Sequence, residues 1–279
     1  MISRRQFIRL GRAGLGVGLG TGLYTWRVEP HWVELVERPL PIANLPASLA
    51  GCRLIQLSDL HIGPRVDDGY LEECFALTRR LSPDFVVCTG DFTDYEGGDF
   101  THAEKVLSRL PLGRRGTLGI LGNHDYGPNW SHDDIGTRIA GLATRAGVRM
   151  LRNEAAEIEG LHFFGLDDLW AGRLEVKLGL ETMDRKRANL VLSHNPDTVD
   201  LDGWENHSGW ILSGHTHGGQ CKPPFLPPPL LPVVNRRYTA GAFSLEGGRS
   251  LYISRGVGHV MRVRFNVRPE ITLFHLQQA

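Results

Sequence analysis

Five short apolar runs each end on side chains that present oxygen or imidazole nitrogen, and this repetition narrows the possible folds more than any other feature of the sequence. "RLIQLSDLH" leads from Arg53 to Asp59 and His61, "DFVVCTGDFTD" delivers Asp91 and Asp94, and "TLGILGNHD" delivers Asn123, His124 and Asp125. "NLVLSHNPD" ends on His194, and Trp210, Ile211 and Leu212 run into "SGHTHGGQ", which carries His215 and His217. Runs of this length bounded by turn residues read as buried strands. In open α/β sheets ligands bind beyond the carboxyl ends of the strands, so five such ends are expected to converge on one site. Gly214, Gly218 and Gly219 let the backbone turn sharply around the last two histidines.

The converging set is Asp59, His61, Asp91, Asn123, His194, His215 and His217, a mixture of carboxylate, amide and imidazole with no thiolate. That mixture suits Mn²⁺, iron or Zn²⁺. One four-coordinate zinc would leave several of these groups unused, whereas two ions about 3.5–4 Å apart need a shared carboxylate and several ligands each. A centre of two divalent ions is the economical expectation.

In this order, "DLH", "GDFTD", "GNHD", "SHNPD" and "GHTHGGQ" resemble the calcineurin-like metallophosphoesterase family over residues 53 to about 220, with no ligand position substituted. The resemblance implies an α/β four-layer sandwich of two mixed β-sheets flanked by helices, with a dinuclear metal site at the strand ends. It implies that Asp59, His61 and His217 bind the first ion, that Asn123, His194 and His215 bind the second, and that Asp91 bridges both. It also implies a catalytic histidine at His124, oriented by Asp94. Two metals would clamp phosphate oxygens and lower the pKa of a bound water, while a protonated His124 would stabilise the phosphate or protonate the leaving oxygen. Asp125 competes with Asp94 for the orienting role; its other reading is a turn residue closing its own loop.

A chain of 279 residues, 41% hydrophobic and 22% charged, has an ordinary globular composition. No repeat or internal linker divides it, and one metallophosphoesterase domain over residues 51–279 is expected. The 31 basic residues balance the 31 acidic ones, so no global field favours wrapping a nucleic-acid backbone, and nucleic acid is not expected as a partner. Cys52, Cys74, Cys88 and Cys221 form no C-x-x-C pair and read as free thiols. The spacing of Leu71, Cys74, Phe75, Thr78 and Leu81 predicts a helix that stops before Pro83, and residues 101–110 and 132–146 read similarly. Beyond the last histidine motif, "AGAFSLEGGRSLYISRG" predicts a hairpin turning at Gly247 and Gly248, followed by further strand in "VRFNVRPEITLFHL".

Residues 1–26 carry Arg4, Arg5, Arg9 and Arg12 with no acidic residue before Glu29, and "SRRQFIR" resembles a bacterial twin-arginine export signal. From Ala13 to Trp26 the chain is uncharged for 14 residues, short of the roughly 20 that a membrane span needs. The expectation is a twin-arginine-like signal or membrane anchor that engages the twin-arginine export machinery and leaves the domain at the membrane surface of the cell envelope, on the periplasmic side. The alternatives are a glycine-rich helix packed on the domain, and a location on the cytoplasmic face of the membrane. Residues 27–50 are expected to link this segment to the domain and to add an edge strand around Trp32 to Val36.

The expected activity is hydrolysis of a phosphodiester or pyrophosphate bond. The family resemblance extends this to a lipid-linked substrate such as UDP-2,3-diacylglucosamine of the lipid A pathway. Nucleotide-linked precursors lie on the cytoplasmic side, so export and that substrate exclude one another. A phosphomonoesterase is one alternative; a non-enzymatic scaffold of the same fold is another, but Asp59, Asp91, Asn123, His124 and His217 are all retained. A redox-active iron site of the purple acid phosphatase type needs a tyrosine ligand after the bridging acid, which Phe92 and Tyr95 match poorly. "CKPPFLPPPLLP", residues 221–232, reads either as a stiff apolar loop meeting an acyl chain or bilayer, or as a rigid cover on the domain. Arg236, Arg237, Arg255 and Arg262 read first as surface charges and second as phosphate contacts, with Arg255 in "SRGVG" the foremost candidate because glycines follow it directly.

Overall fold

Strands that are apolar on both faces need a covering layer on each side, and that requirement organises this molecule. The computed structural model describes residues 3–94, 100–177, 183–204 and 207–279. A first mixed sheet contains β1 (Glu34–Ile42), β2 (Arg53–Leu57), β3 (Phe85–Thr89), β4 (Gly116–Ile120), β5 (Arg149–Met150) and β12 (Glu270–Gln278), in the order β1-β12-β2-β3-β4-β5. A second contains β6 (Glu154–Ile158), β7 (Leu161–Gly165), β8 (Ala188–Leu192), β9 (Gly209–Ser213), β10 (Gly241–Ser244) and β11 (Arg249–Ile253), in the order β10-β11-β9-β8-β7-β6. β2 to β5 are mutually parallel, as are β7, β8, β9 and β11. The parallel runs point their carboxyl ends toward one edge of the sandwich, where the five polar motifs lie.

Side-chain alternation sorts the core into three layers. Leu54, Phe85, Val87 and Leu118 of the first sheet meet Phe163, Leu190 and Leu212 of the second, with the Phe85 and Phe163 rings 5.8 Å apart. The opposite face of the first sheet, with Ile55, Leu57, Val86 and Cys88, packs under α2 (Asp68–Arg80), α3 (Thr101–Leu107) and α4 (Asp133–Arg145). On α2 the positions set by helical spacing, Leu71, Cys74, Phe75 and Thr78, are buried, and Asp67 caps the helix by accepting from the Tyr70 N–H at 3.0 Å. The outer face of the second sheet is covered by the helical turn Pro196–Asp200 and by Val176, Trp204 and Tyr238. Beneath the polar edge, Gln56 Nε2 donates to Thr89 Oγ1 and to the Ser213 carbonyl, both at 2.9 Å, and so ties the two sheets together.

The hairpin forms where Gly247 and Gly248 predict it, with Gly241 opposite Ile253 and Ser244 opposite Ser250. The strand expected around Trp32 to Val36 is instead β1, Glu34–Ile42, paired in parallel with β12 along its whole length. It extends because β12 offers nine residues of ladder, and because Pro39 and Pro41 fall on a sheet edge where a missing donor is tolerated. Before it, Glu29 is buried and accepts from the Val267 N–H at 2.6 Å, and Arg264 N–H donates to the Thr25 carbonyl at 3.0 Å. Residues 4–23 form an exposed helix, α1 (Arg4–Leu23), whose Ser3 and Gln6 make a capping box. Among the described residues no helix is long and apolar enough to cross a membrane, and all four thiols are free.

Candidate metal centre

The loops after β2 and β3 run side by side: Asp59 N–H donates to the Gly90 carbonyl and His61 N–H to the Asp91 carbonyl, each at 3.0 Å. Across the sandwich, Gly214 N–H donates to the His194 carbonyl at 3.1 Å. These bonds fold four strand ends over one another, but they require unusual backbone. Asp59 (φ +55°), His61 (+47°), Asp91 (+53°), His215 (+70°) and His217 (+49°) all adopt the left-handed region, which residues bearing a Cβ rarely occupy. Strain of this kind gathers where a site demands it. Close packing is as strict: a Cβ on Gly214 would overlap Ser58 Oγ and Asp59 Oδ2, and one on Gly122 would overlap Asp91 Oδ1.

All seven groups singled out by the motifs are brought together and buried. Ligand-capable atoms of Asp59, His61 and His217 lie within 4.8 Å of one another, as do those of Asp91, His194 and His215. The Nε2 atoms of His61 and His217 face each other at 3.1 Å. Asp91 lies between the groups, with Oδ2 3.6 Å from His61 Nε2 and 3.2 Å from His194 Nε2, while Oδ1 accepts from the His124 N–H at 2.9 Å.

The second contacts of these rings decide which nitrogen faces inward. His194 Nδ1 lies 2.7 Å from the Thr89 carbonyl and His215 Nε2 2.8 Å from the Pro232 carbonyl. A carbonyl only accepts, so each ring carries a proton on that side and turns its other nitrogen, 3.3 Å apart across the pair, into the cluster. Asn123 supplies the test of fit. Its Oδ1 and Nδ2 are buried without a partner, an arrangement that costs about 1–3 kcal/mol unless the oxygen ligates a cation. The residues present therefore fit divalent metal ions. Charge points the same way. Burial opposes ionisation of Asp91, yet the His194, His124 and His61 charges hold its carboxyl well below the usual range. Burial alone would depress His194, but Asp91 and Asp59 push it up to about 10, so in the absence of a cation a proton there offsets part of the cluster's negative charge.

His124 stands at the rim. Its Nδ1 lies 3.3 Å from Asp94 Oδ1, and Asp94 is also paired with Arg65. Burial would lower the pKa of His124, but the charge of Asp91 and the hydrogen bond that the ring donates to Asp94 outweigh it and push the ring up to about 9. Asp125 takes the turn role: its carboxyl accepts from the Gly122 and Thr93 N–H groups, each at 3.0 Å. Burial and the neighbouring Asp91 raise it to about 7, which makes it a poor counter-charge for an imidazolium.

Other expectations need correction. Arg255 bonds Glu270 at 2.6 Å and pairs with Glu34 at 3.1 Å, so it braces β1 against β12 rather than meeting phosphate. Arg262 donates to the Arg65 and Pro64 carbonyls, and Arg236 to the Pro228 carbonyl. Tyr95 lies outside the described residues. Reading five strand ends also missed a sixth: "LHFFGLDDLW" is an apolar run ending in acids, and β7 leads through buried Asp168 to Trp170. Trp170 sits edge-on to the His215 ring, with centroids 4.4 Å apart, and stacks on Trp130 at 4.7 Å. Arg65, only four residues beyond His61, carried no motif signal of its own.

Residues 52–219 match the family model described as calcineurin-like phosphoesterase. The chain belongs to this family. It is 32% identical to phosphodiesterase YaeI of Escherichia coli (strain K12), over 99% of this chain and 100% of that protein. It is 31% identical to the uncharacterized metallophosphoesterase YkuE of Bacillus subtilis (strain 168), over 100% and 99%. The UDP-2,3-diacylglucosamine pyrophosphatase LpxG of Chlamydia trachomatis is 25% identical over 96% and 98%. The chain is accordingly a metal-dependent phosphoester hydrolase. Because a methyl group at Gly214 collides with Asp59, Gly214→Ala is expected to lose bound metal by elemental analysis while its far-ultraviolet circular dichroism stays native; full metal loading would refute this account of the turn.

Proposed function

We propose that this chain is a phosphodiesterase working at two divalent ions. Asp59, His61 and His217 would hold one, Asn123, His194 and His215 the other, and Asp91 would bridge them. The observation that carries the reading is the arrangement of buried ligand atoms as two groups about the Asp91 carboxylate. Imidazole, carboxylate and amide donors favour Mn²⁺, iron or Zn²⁺. When bound, such ions supply positive charge to the phosphate oxygens and a water of lowered pKa as nucleophile. With Nδ1 engaged by Asp94, Nε2 of His124 is left to donate a proton to the departing oxygen. Arg65 holds Asp94 from its other side.

The phosphodiester is preferred over other esters on the name and the near-complete coverage of the E. coli relative. Hydrolysis of the pyrophosphate bond of UDP-2,3-diacylglucosamine is the second reading, supported by the likeness to LpxG. Metal-stripped protein reloaded with Mn²⁺, Zn²⁺ or Fe²⁺ and offered a phosphomonoester, a phosphodiester and UDP-2,3-diacylglucosamine chooses among them; preference for the monoester or the UDP sugar overturns the first reading. On the preferred substrate, His124→Ala is expected to lower kcat by about 10²–10⁴ with metal content retained, whereas Asp91→Ala should lose metal and activity together.

The pH dependence follows from the sign of the His124 shift. Its folded-state pKa is raised, so the protonated ring persists at neutral pH and is lost as pH rises through about 9; bound cations draw that limb lower. Activity should therefore fall on the alkaline side, and Asp94→Asn, which removes a group that raises the pKa, should move the falling limb of the kcat profile to lower pH. An unmoved limb would sink the pairing.

We also propose, from the N-terminal segment alone, that the chain works at a membrane surface after twin-arginine export. The first turns of α1 carry four arginines, and Leu10, Leu15, Val17, Leu19 and Leu23 on it are more than half exposed. Purified full-length protein should float with vesicles containing anionic lipid, and protein lacking residues 1–26 should float markedly less; equal flotation counts against this role for the segment.

A further inference from the structure

The ground above the metal centre is divided into two unlike lobes on either side of His124. One is a cavity of about 370 Å³ reaching from Asp91, Asn123 and His215 outward. Beyond the inner groups its walls include Trp130, Trp170, Leu230, Leu231, Val260 and Met261. The second lobe, about 510 Å³, contains Arg65, Asp94 and the Gly127–Trp130 turn, and shares His124, Trp130, Val260 and Met261 with the first. Both volumes fall within the roughly 300–1,000 Å³ usual for ligand sites.

On the outer walls of the first lobe the only polar side-chain groups without a hydrogen bond, among the described residues, are the indole N–H donors of Trp130 and Trp170, and no free acceptor accompanies them. Gln220 donates to the Met261 and Val263 carbonyls and accepts from the Val260 N–H. Thr216 Oγ1 is bonded to the Thr239 carbonyl, and His215 Nε2 to that of Pro232. A nucleobase or sugar placed there would find at most two indole donors and no acceptor, and would leave most of its own polar groups unpaired, which a buried site penalises heavily. Nor do the two tryptophans form a slot for a planar ring: they stack on each other at 4.7 Å and 29°, so those faces are already in use. Trp130 is held in place by a turn in which Asn129 (φ +55°) and Trp130 (φ +57°) are both left-handed, a conformation kept only where the surroundings enforce it. At the rim, Leu230 and Met261 are 67% and 51% exposed, so the apolar wall continues past the mouth.

Resting on the phosphodiesterase reading, we propose that the Trp130–Trp170 lobe is a specificity subsite for an alkyl or acyl chain, and that the substrate is an asymmetric diester whose other, polar arm lies in the Arg65 lobe. Hydrolysis adds water across one P–O bond and yields an alcohol and a phosphomonoester, the departing oxygen taking the proton from His124. Which arm departs is read from the products.

The test uses the metal-loaded full chain and a series of glycerol phosphodiesters of methanol, butanol and octanol below their micelle concentrations, with products followed by phosphorus NMR. kcat/KM is expected to rise about fourfold for each methylene taken out of water, until the lobe is full. Leu230→Glu and Met261→Glu, at positions exposed enough to spare the fold, should lower the octyl-to-methyl ratio about tenfold or more at equal metal content. A flat series in which the methyl diester is still cleaved overturns the subsite and leaves the phosphodiesterase reading intact. Cleavage of a phosphomonoester or a UDP sugar with no diester cleaved overturns the phosphodiesterase reading itself. An unchanged ratio in both variants would also overturn the subsite.

Discussion

A buried cluster of two carboxylates, four imidazoles and an amide has no stable form without positive charge inside it, and the rest of the molecule is arranged around that need. Asp59 and Asp91 are excluded from water together with every ring that faces them. Without a cation, the proton pushed onto His194 offsets only one of the two carboxylate charges. A divalent ion performs the same task with ligands already in place, and its binding releases that proton. The left-handed backbone at five of the seven groups, and glycines with no room for a methyl, follow from packing so many strand ends against a common centre.

Around that centre the structure separates tasks by solvent access. The seven inner groups are buried, with Asp91, Asn123, His215 and His217 at the floor of the cleft, whereas His124 stands at the rim beside Asp94, which is itself paired with Arg65. The proline-rich segment after His217 has two roles at once. Its Leu230 and Leu231 wall the apolar lobe, and its Pro232 carbonyl fixes the tautomer of His215. Contacts made to that wall thus bear on the orientation of the His215 ring.

The segment before the domain shows why boundaries are harder to read than cores. Glu29 and Pro30 are buried, and β1 lies along β12, a partner more than two hundred residues away in the chain. Nothing local in "VELVERPLPI" announces that partner, since an edge strand with two prolines and alternating charge resembles a linker until its neighbour is known. Arg255 misled for a related reason: glycines beside an arginine suggest ligand approach, but the guanidinium was matched by two acids from distant strands.

Local pattern alone was enough to point to the strands whose ends carry the polar motifs, the helix before Pro83, the hairpin at Gly247, and the seven residues that the fold buries together, because burial constrains residue type position by position. What only the tertiary structure decided was everything set by proximity between distant segments. That includes the choice of Asp94 over Asp125 beside His124, the carbonyls of Thr89 and Pro232 that orient two rings, the sixth strand end with Asp168 and Trp170, and the division of the cleft into an apolar and a polar lobe. The physical reason is that a side chain's chemistry is written in its own residue, whereas its partner is chosen by the fold.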